Sequence, residues 1–189
     1  MRTRHLSWLI AGVALAPTLA AAAPATWVVD KAASRLTFTS AVSGQAFTGR
    51  FARWDAVIHF DPKDLAHSDV AATIDITSAA TGNGDRDAEI PDQDWFWTSH
   101  FPRASYVAKS FQPAGPGRYL AAGVLTVRGV AKPLSLPFAL TINGANAHMT
   151  GGVAINRLAF GVGQGEWAAT DTVPAGVTVN IDLTAHRTP

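Results

Sequence analysis

Few residues in the chain are of a kind that moves protons or holds ions, and they are scattered. Asp85, Asp87 and Glu89 alternate within DRDAEIPDQDWFWTSHF, the stretch from Asp85 to Phe101, in a pattern similar to part of a calcium loop. Arg86 interrupts that pattern and the glycine needed at the sixth position is missing, so the acids read as a helix start favoured by the positive end of the helix. His59, His67, His100, His148 and His186 fall on different expected elements without the paired spacing of metal ligands. Arg86 and Arg157 are expected to make charge-assisted bonds to carboxylates such as Asp87 and so to brace loops. The chain has 0 cysteines, which excludes thiol chemistry and disulfides, and it lacks nucleophile-elbow, zinc-helix, phosphate-loop and dinucleotide motifs. No catalytic residue, metal or cofactor is expected.

The same block carries Trp95, Phe96, Trp97 and Phe101. At ~150–250 Å² of apolar surface each, such rings are too much to leave in water. They either plug a core or line a pocket.

Outside that block the chain has the period of β-strands. Val70, Ala72, Ile74 and Ile76 share one parity and Thr73, Asp75 and Thr77 the other. Leu134, Leu136, Phe138, Leu140 and Ile142 repeat the pattern, as do Val177, Val179, Ile181, Leu183 and Ala185. Pro137 places its strand at an edge or at a bulge. Phe47, Gly49 and Phe51 are odd whereas Trp54, Ala56, Ile58 and Phe60 are even, so a bulge or bend is expected near Ala52 and Arg53. Turns are expected at Asp61-Pro62, Pro113 to Gly117, Arg128-Gly129 and Asn143-Gly144. Roughly eight to nine antiparallel strands follow, spaced as in a barrel or sandwich. Helix is expected only as one or two short turns near residues 85–99, with Asp85 or Asp92 as N-cap.

Arg2 and Arg4 precede an apolar run, Leu6 to Leu19, and small residues follow, so residues 1–22 read as a secretory signal peptide. Cleavage after Ala22 or Ala25 suits the small-residue rule. Residues 23–189 then form one domain. Without Arg2 and Arg4, Lys+Arg falls from 15 to 13 against 14 acids, leaving no basic excess for a nucleic-acid partner. No later stretch is apolar for the ~20 residues of a membrane helix, so no transmembrane span is expected after processing. An exposed strand edge would support a homodimer.

Three ordered phrases then resemble the YceI-like family of exported polyisoprenoid-binding proteins: SAATGNGDRDAEIPDQDWFWTSHFPRASYVAKSF, GVLTVRGVAKPLSLPF and AINRLAFGVGQGEW. Thr81, Arg86, Asp87, Phe96 and Pro102 fall in the family's first signature stretch. Gly123, Leu125, Gly129, Val130 and Lys132 fall in the second, and Asn156, Arg157, Phe160 and Gly161 in the third. Ala131 departs from the usual Thr, and Trp97 stands where an acid is common. The resemblance implies an all-β, extended lipocalin-like antiparallel β-barrel of about eight strands. It also implies a long apolar cavity for an isoprenoid chain or related amphiphile, a quinone included.

Its expected wall comprises Phe38, Phe47, Phe51, Trp54, Ile58, Phe60, Ile74, Trp95, Phe96, Phe138, Phe160 and Trp167. The function that follows is non-catalytic binding, storage or transport of such a lipid in the periplasm. An enzyme acting on a lipid through acid or base residues at the cavity mouth is the rival reading. A membrane barrel with its apolar parity outward is a third.

Overall fold

The alternating runs fold into antiparallel ladders, and the breaks between them fall where side chains can replace backbone partners. A computed structural model describes residues 24–188; the expected signal peptide lies outside them. The strands are β1 Thr26–Val29, β2 Arg35–Val42, β3 Gln45–Phe51, β4 Trp54–His59, β5 Asp69–Asp75 and β6 Ala79–Ala80. They continue as β7 Arg103–Pro113, β8 Arg118–Val127, β9 Val130–Asn143, β10 Asn146–Asn156 and β11 Gly176–Arg187. Pairing runs β1-β4-β5-β7-β8-β9-β10-β11, and β11 returns to β1 to close a ring of eight. β2, β3 and β6 are not extra layers. They prolong β1, β4 and β5 beyond kinks, since β2 also pairs with β11 and with β3, and β3 pairs with β6.

Each kink has a local cause. Between β1 and β2, Ser34 Oγ both accepts from Thr184 N and donates to Thr184 O, replacing a ladder partner on β11. At the expected bend, Ala52 N donates to Ser78 O and Arg53 N to Ser78 Oγ. Arg53 Nε meets Asp75 Oδ2 at 2.8 Å across the same corner. The parity slip in the sequence is this corner.

A second irregularity explains Pro137. The β9–β10 ladder stops at the pair Gly151↔Phe138, while β9 stays paired with β8 down to Val130. Leu140 N donates to Gly117 O at 2.8 Å, so even-numbered β9 residues bond toward β8 and odd-numbered ones toward β10. Pro133 and Pro137 therefore each remove a donor from the β10 side. β9 is thus an edge over half its length, and the barrel is unzipped there.

Apolar parity points inward. Outside, Val57, Ala71, Val107 and Val124 are successive cross-strand partners on β4, β5, β7 and β8. The next row is Asp55, Thr73, Ser105 and Thr126. On these four strands the outer face thus sets one apolar row beside a polar one, unlike the ~25 Å apolar band of a membrane barrel. No helix among the described residues is long and apolar enough to cross a membrane.

Helix in this block is short, as expected: α1 spans Gly84–Glu89, followed by turns. Its cap is neither Asp85 nor Asp92 but Asn83, whose side chain accepts from Arg86 N at 3.0 Å. Ser43-Gly44, a turn not read from the sequence, joins β2 to β3 with φ of 48° and 78°, the positive pair of a tight hairpin.

Candidate functional site

The inward residues of all eight strands surround a cavity of about 410 Å³. Close-packed interiors leave few voids larger than a water, so this is no packing defect; it lies within the ~300–1,000 Å³ of ligand sites. Its long wall is almost wholly hydrocarbon: Trp54, Ala56 and Ile58 from β4, Val70, Ala72 and Ile74 from β5, Leu134, Leu136 and Phe138 from β9, Val177, Val179 and Ile181 from β11.

One end is sealed by aromatic rings. Phe60 packs edge-on against Phe111, Tyr119 and Phe138 at centroid distances of 5.3, 5.4 and 5.9 Å. Polar atoms near this seal are committed. Trp27 Nε1 donates to Phe60 O at 2.9 Å, and Tyr106 OH donates to Ala121 O at 2.9 Å. Burial pushes the Tyr106 hydroxyl up to about 12, so it stays neutral and serves as a tie.

The opposite end is roofed by two loops, residues 81–102 and 157–173. The four aromatics of the first loop divide. Trp95 and Phe96 face the cavity. Trp97 instead takes φ 48° and stacks on His100 at 3.9 Å, under the Arg128 guanidinium. Phe101 packs over Gly129, where a Cβ would meet its ring at 2.9 Å. Arg128 Nη1 ties the loops together by donating to Trp95 O and Gly161 O.

Arg157 anchors the second loop in a way the charge pattern did not reveal. It is 3% exposed, and no carboxylate partners it among the described residues. Its donors instead reach five carbonyls, those of Pro174, Val162, Gly163, Trp167 and Val173, at 2.6–3.3 Å. Burial lowers its pKa from the ordinary arginine value, and the carbonyl cage is what keeps the cation tolerable. Gly163 is needed beside it, because a Cβ there would overlap Arg157 Nη1.

Arg86 also departs from the expected carboxylate bond. Its Nε donates to Thr81 Oγ1 at 3.3 Å, and Thr81 in turn donates to Asp87 at 2.7 Å. That hydroxyl, more than Arg86, holds the Asp87 carboxyl below its ordinary range. The Arg86 guanidinium lies 4.3 Å from the Phe47 ring centroid, bridging α1 to β3. Asp85, Arg86, Glu89 and Thr81 form the cavity's polar rim. Phe38, Phe47 and Phe51 face them, with the Phe38 ring seated where a Cβ on Gly49 would be.

Residues 27–185 match the YceI-like domain. The chain belongs to the YceI family. A UPF0312 protein of Shewanella sp. strain MR-7 is 27% identical over 192 residues, covering 97% of this chain and 96% of its own. Another, from Shewanella sp. strain MR-4, is 30% identical over 139 residues, 72% of each chain. The crystal structure of BcnA from Burkholderia cenocepacia superposes with a TM-score of 0.80 at 32% identity, over 82% of this chain and 98% of that one. A polyisoprenoid-binding domain from Saccharophagus degradans, 15% identical, shares the fold with a TM-score of 0.69 over 87% of this chain and 99% of its own.

In this YceI barrel all twelve residues expected on the wall do line the cavity, in three groups. Phe60 and Phe138 belong to the seal, Phe38, Phe47, Phe51, Trp54, Ile58 and Ile74 to the shaft and mouth, and Trp95, Phe96, Phe160 and Trp167 to the roof. Other lining residues were missed. Phe111 sits beyond a register shift between Ala108 and Ser110 that breaks its parity with Tyr106, and Trp27 lies on a strand of only four residues. Ser40 is polar but shares the parity of Leu36 and Phe38 and lines the cavity with them.

Proposed function

We propose that this protein binds an isoprenoid lipid or a related amphiphile, a quinone among them, in the barrel cavity, and stores or carries it without chemical change. The observation that supports this most is the shaft itself: about 410 Å³ walled by hydrocarbon, sealed by Phe60 at one end and rimmed by Asp85, Arg86 and Glu89 at the other. Each five-carbon unit placed there is worth up to ~4 kcal/mol of burial before ordering costs, so a short isoprenoid suffices for firm binding. The polyisoprenoid-binding domain of Saccharophagus degradans lends the fold a precedent. Among the described residues no histidine or lysine lines the cavity, and Tyr106 is tied to backbone, which favours a carrier over an enzyme.

The periplasm is the proposed compartment, on the strength of the signal-like residues 1–22. The homodimer expected from an exposed edge has a candidate in the unzipped half of β9, and sedimentation velocity tests it. The binding proposal is tested by organic extraction of the mature protein purified without detergent. Mass spectrometry is expected to find an isoprenoid or similar amphiphile at near one per chain; repeated recovery of bare protein that also fails to take up added isoprenoid would overturn it.

A further inference from the structure

Two buried side-chain polar atoms have no hydrogen-bond partner among the described residues, Trp95 Nε1 and Ser40 Oγ. Both residues line the cavity, one from the roof and one from β2. Natural interiors satisfy nearly all such atoms, because an unpaired donor in an apolar setting forfeits its hydration for nothing. The other buried side-chain polar atoms among the described residues obey that rule. Trp27 Nε1 reaches Phe60 O, Tyr106 OH reaches Ala121 O, and Arg157 meets five carbonyls.

Trp95 is also held fast. Its N donates to Asp92 O at 3.0 Å, its carbonyl accepts from Arg128 at 2.8 Å, and its ring packs 5.4 Å from that of Trp167. Turning the indole N–H away would break this ring's packing against Trp167. An indole only donates, so what meets it must offer an acceptor.

The charge around the cavity limits what that acceptor belongs to. The ionisable residues lining it, apart from Tyr106, are Asp85, Glu89, Arg86 and Arg157, two acids against two bases. Arg157 has spent its donors on backbone, leaving Arg86 as the base able to reach a ligand, with two carboxylates beside it. A phosphate or carboxylate head would meet no net positive field.

Resting on the lipid-binding reading above, we infer that the roof end holds a head-group subsite in which Trp95 Nε1–H recognises an uncharged oxygen acceptor. Ketones, quinones, esters and amides have the right chemistry. Plain hydrocarbons and anionic heads do not. The hydrocarbon chain then runs from the roof toward the Phe60 seal.

The test uses delipidated mature protein and three C20 isoprenoid chains that end in a methyl group, a methyl ketone or a monophosphate, with affinities from calorimetry. The ketone is expected to bind roughly three- to tenfold tighter than the hydrocarbon, the usual return on one hydrogen bond, and the phosphate weaker than the ketone. Trp95→Phe, which keeps a ring but removes the donor, is expected to bring the ketone-to-hydrocarbon ratio close to one. In the wild type, the Trp95 indole proton resonance is expected to move downfield with the ketone and not with the hydrocarbon, a readout that does not depend on any variant folding. Equal affinity for ketone and hydrocarbon, a tightest-binding phosphate, an unchanged ratio in Trp95→Phe, or an indole proton indifferent to the ketone would each overturn the subsite while leaving lipid binding intact. Failure of all three chains to bind would remove the lipid-binding reading as well.

Discussion

The two ends of the barrel are built from similar residues to opposite purposes. At the Phe60 end, aromatic rings interlock and Trp27 gives its indole N–H to a backbone carbonyl. At the Trp95 end, aromatic rings again face inward, but the Trp95 indole N–H has no partner among the described residues, and a charged rim stands beside it. A ring whose polar atom is paired completes a wall; one whose polar atom is left open in a fixed position is poised to meet something else. That difference gives the shaft two unlike ends, one with its indole N–H paired and the other with an indole N–H left open.

The comparison can be broken hardest at Arg157. Arg157→Met removes the donors to five carbonyls, each costing about 1–3 kcal/mol if left unpaired, so we expect a loss of about 5 kcal/mol or more with the roof detached. Denaturant melts measure this. Arg157→Lys restores little, because an ammonium cannot reproduce the planar fork.

At the other end, Phe60→Ala is expected to cost about 3–5 kcal/mol as a core truncation. Because it unplugs the shaft, it should also shift preference toward longer chains, which competition between C15 and C30 isoprenoids would reveal. A stability loss with no change in chain preference would show that the seal does not bound the ligand.

Gly49→Ala acts on the mouth alone. Its Cβ would displace the Phe38 ring, at an overpacking cost of about 1–3 kcal/mol, and weaken lipid uptake more than its stability loss explains.

The smallest effect belongs to Asp87, which braces the rim residue Thr81. Asp87 is held below the ordinary carboxylate range chiefly by the Thr81 hydroxyl. A depressed carboxyl adds stability above its unfolded pKa of about 4 and loses that contribution as pH falls through the lower folded value. Asp87→Asn should therefore melt slightly below the wild type at pH 7 and converge with it as both are taken into acid.

Much of the shaft was legible because strand parity survives long runs: Val70 to Ile76 and Val177 to Ala185 each face the cavity as their alternation requires. Even the corner at Ala52 and Arg53 announced itself as a slip of one residue. Elements held by side chain to backbone bonds left no such trace. Asn83 caps α1 from within a turn, and Arg157 reads as an ion-pair residue although carbonyls surround it. Trp95 and Trp97 are two residues apart yet face opposite ways, because the loop between them has no period and Trp97 adopts a left-handed backbone.

The central claim is that a lipid chain lies along the shaft between Trp95 and Phe60. A crystal structure grown with an isoprenoid ketone brominated at its tail tests it most directly. The account expects anomalous bromine density beside Phe60 and Phe138, with the ketone oxygen within hydrogen-bond distance of Trp95 Nε1. Bromine found only on the outer valine row, or a saturated crystal with no chain in the shaft, would contradict it.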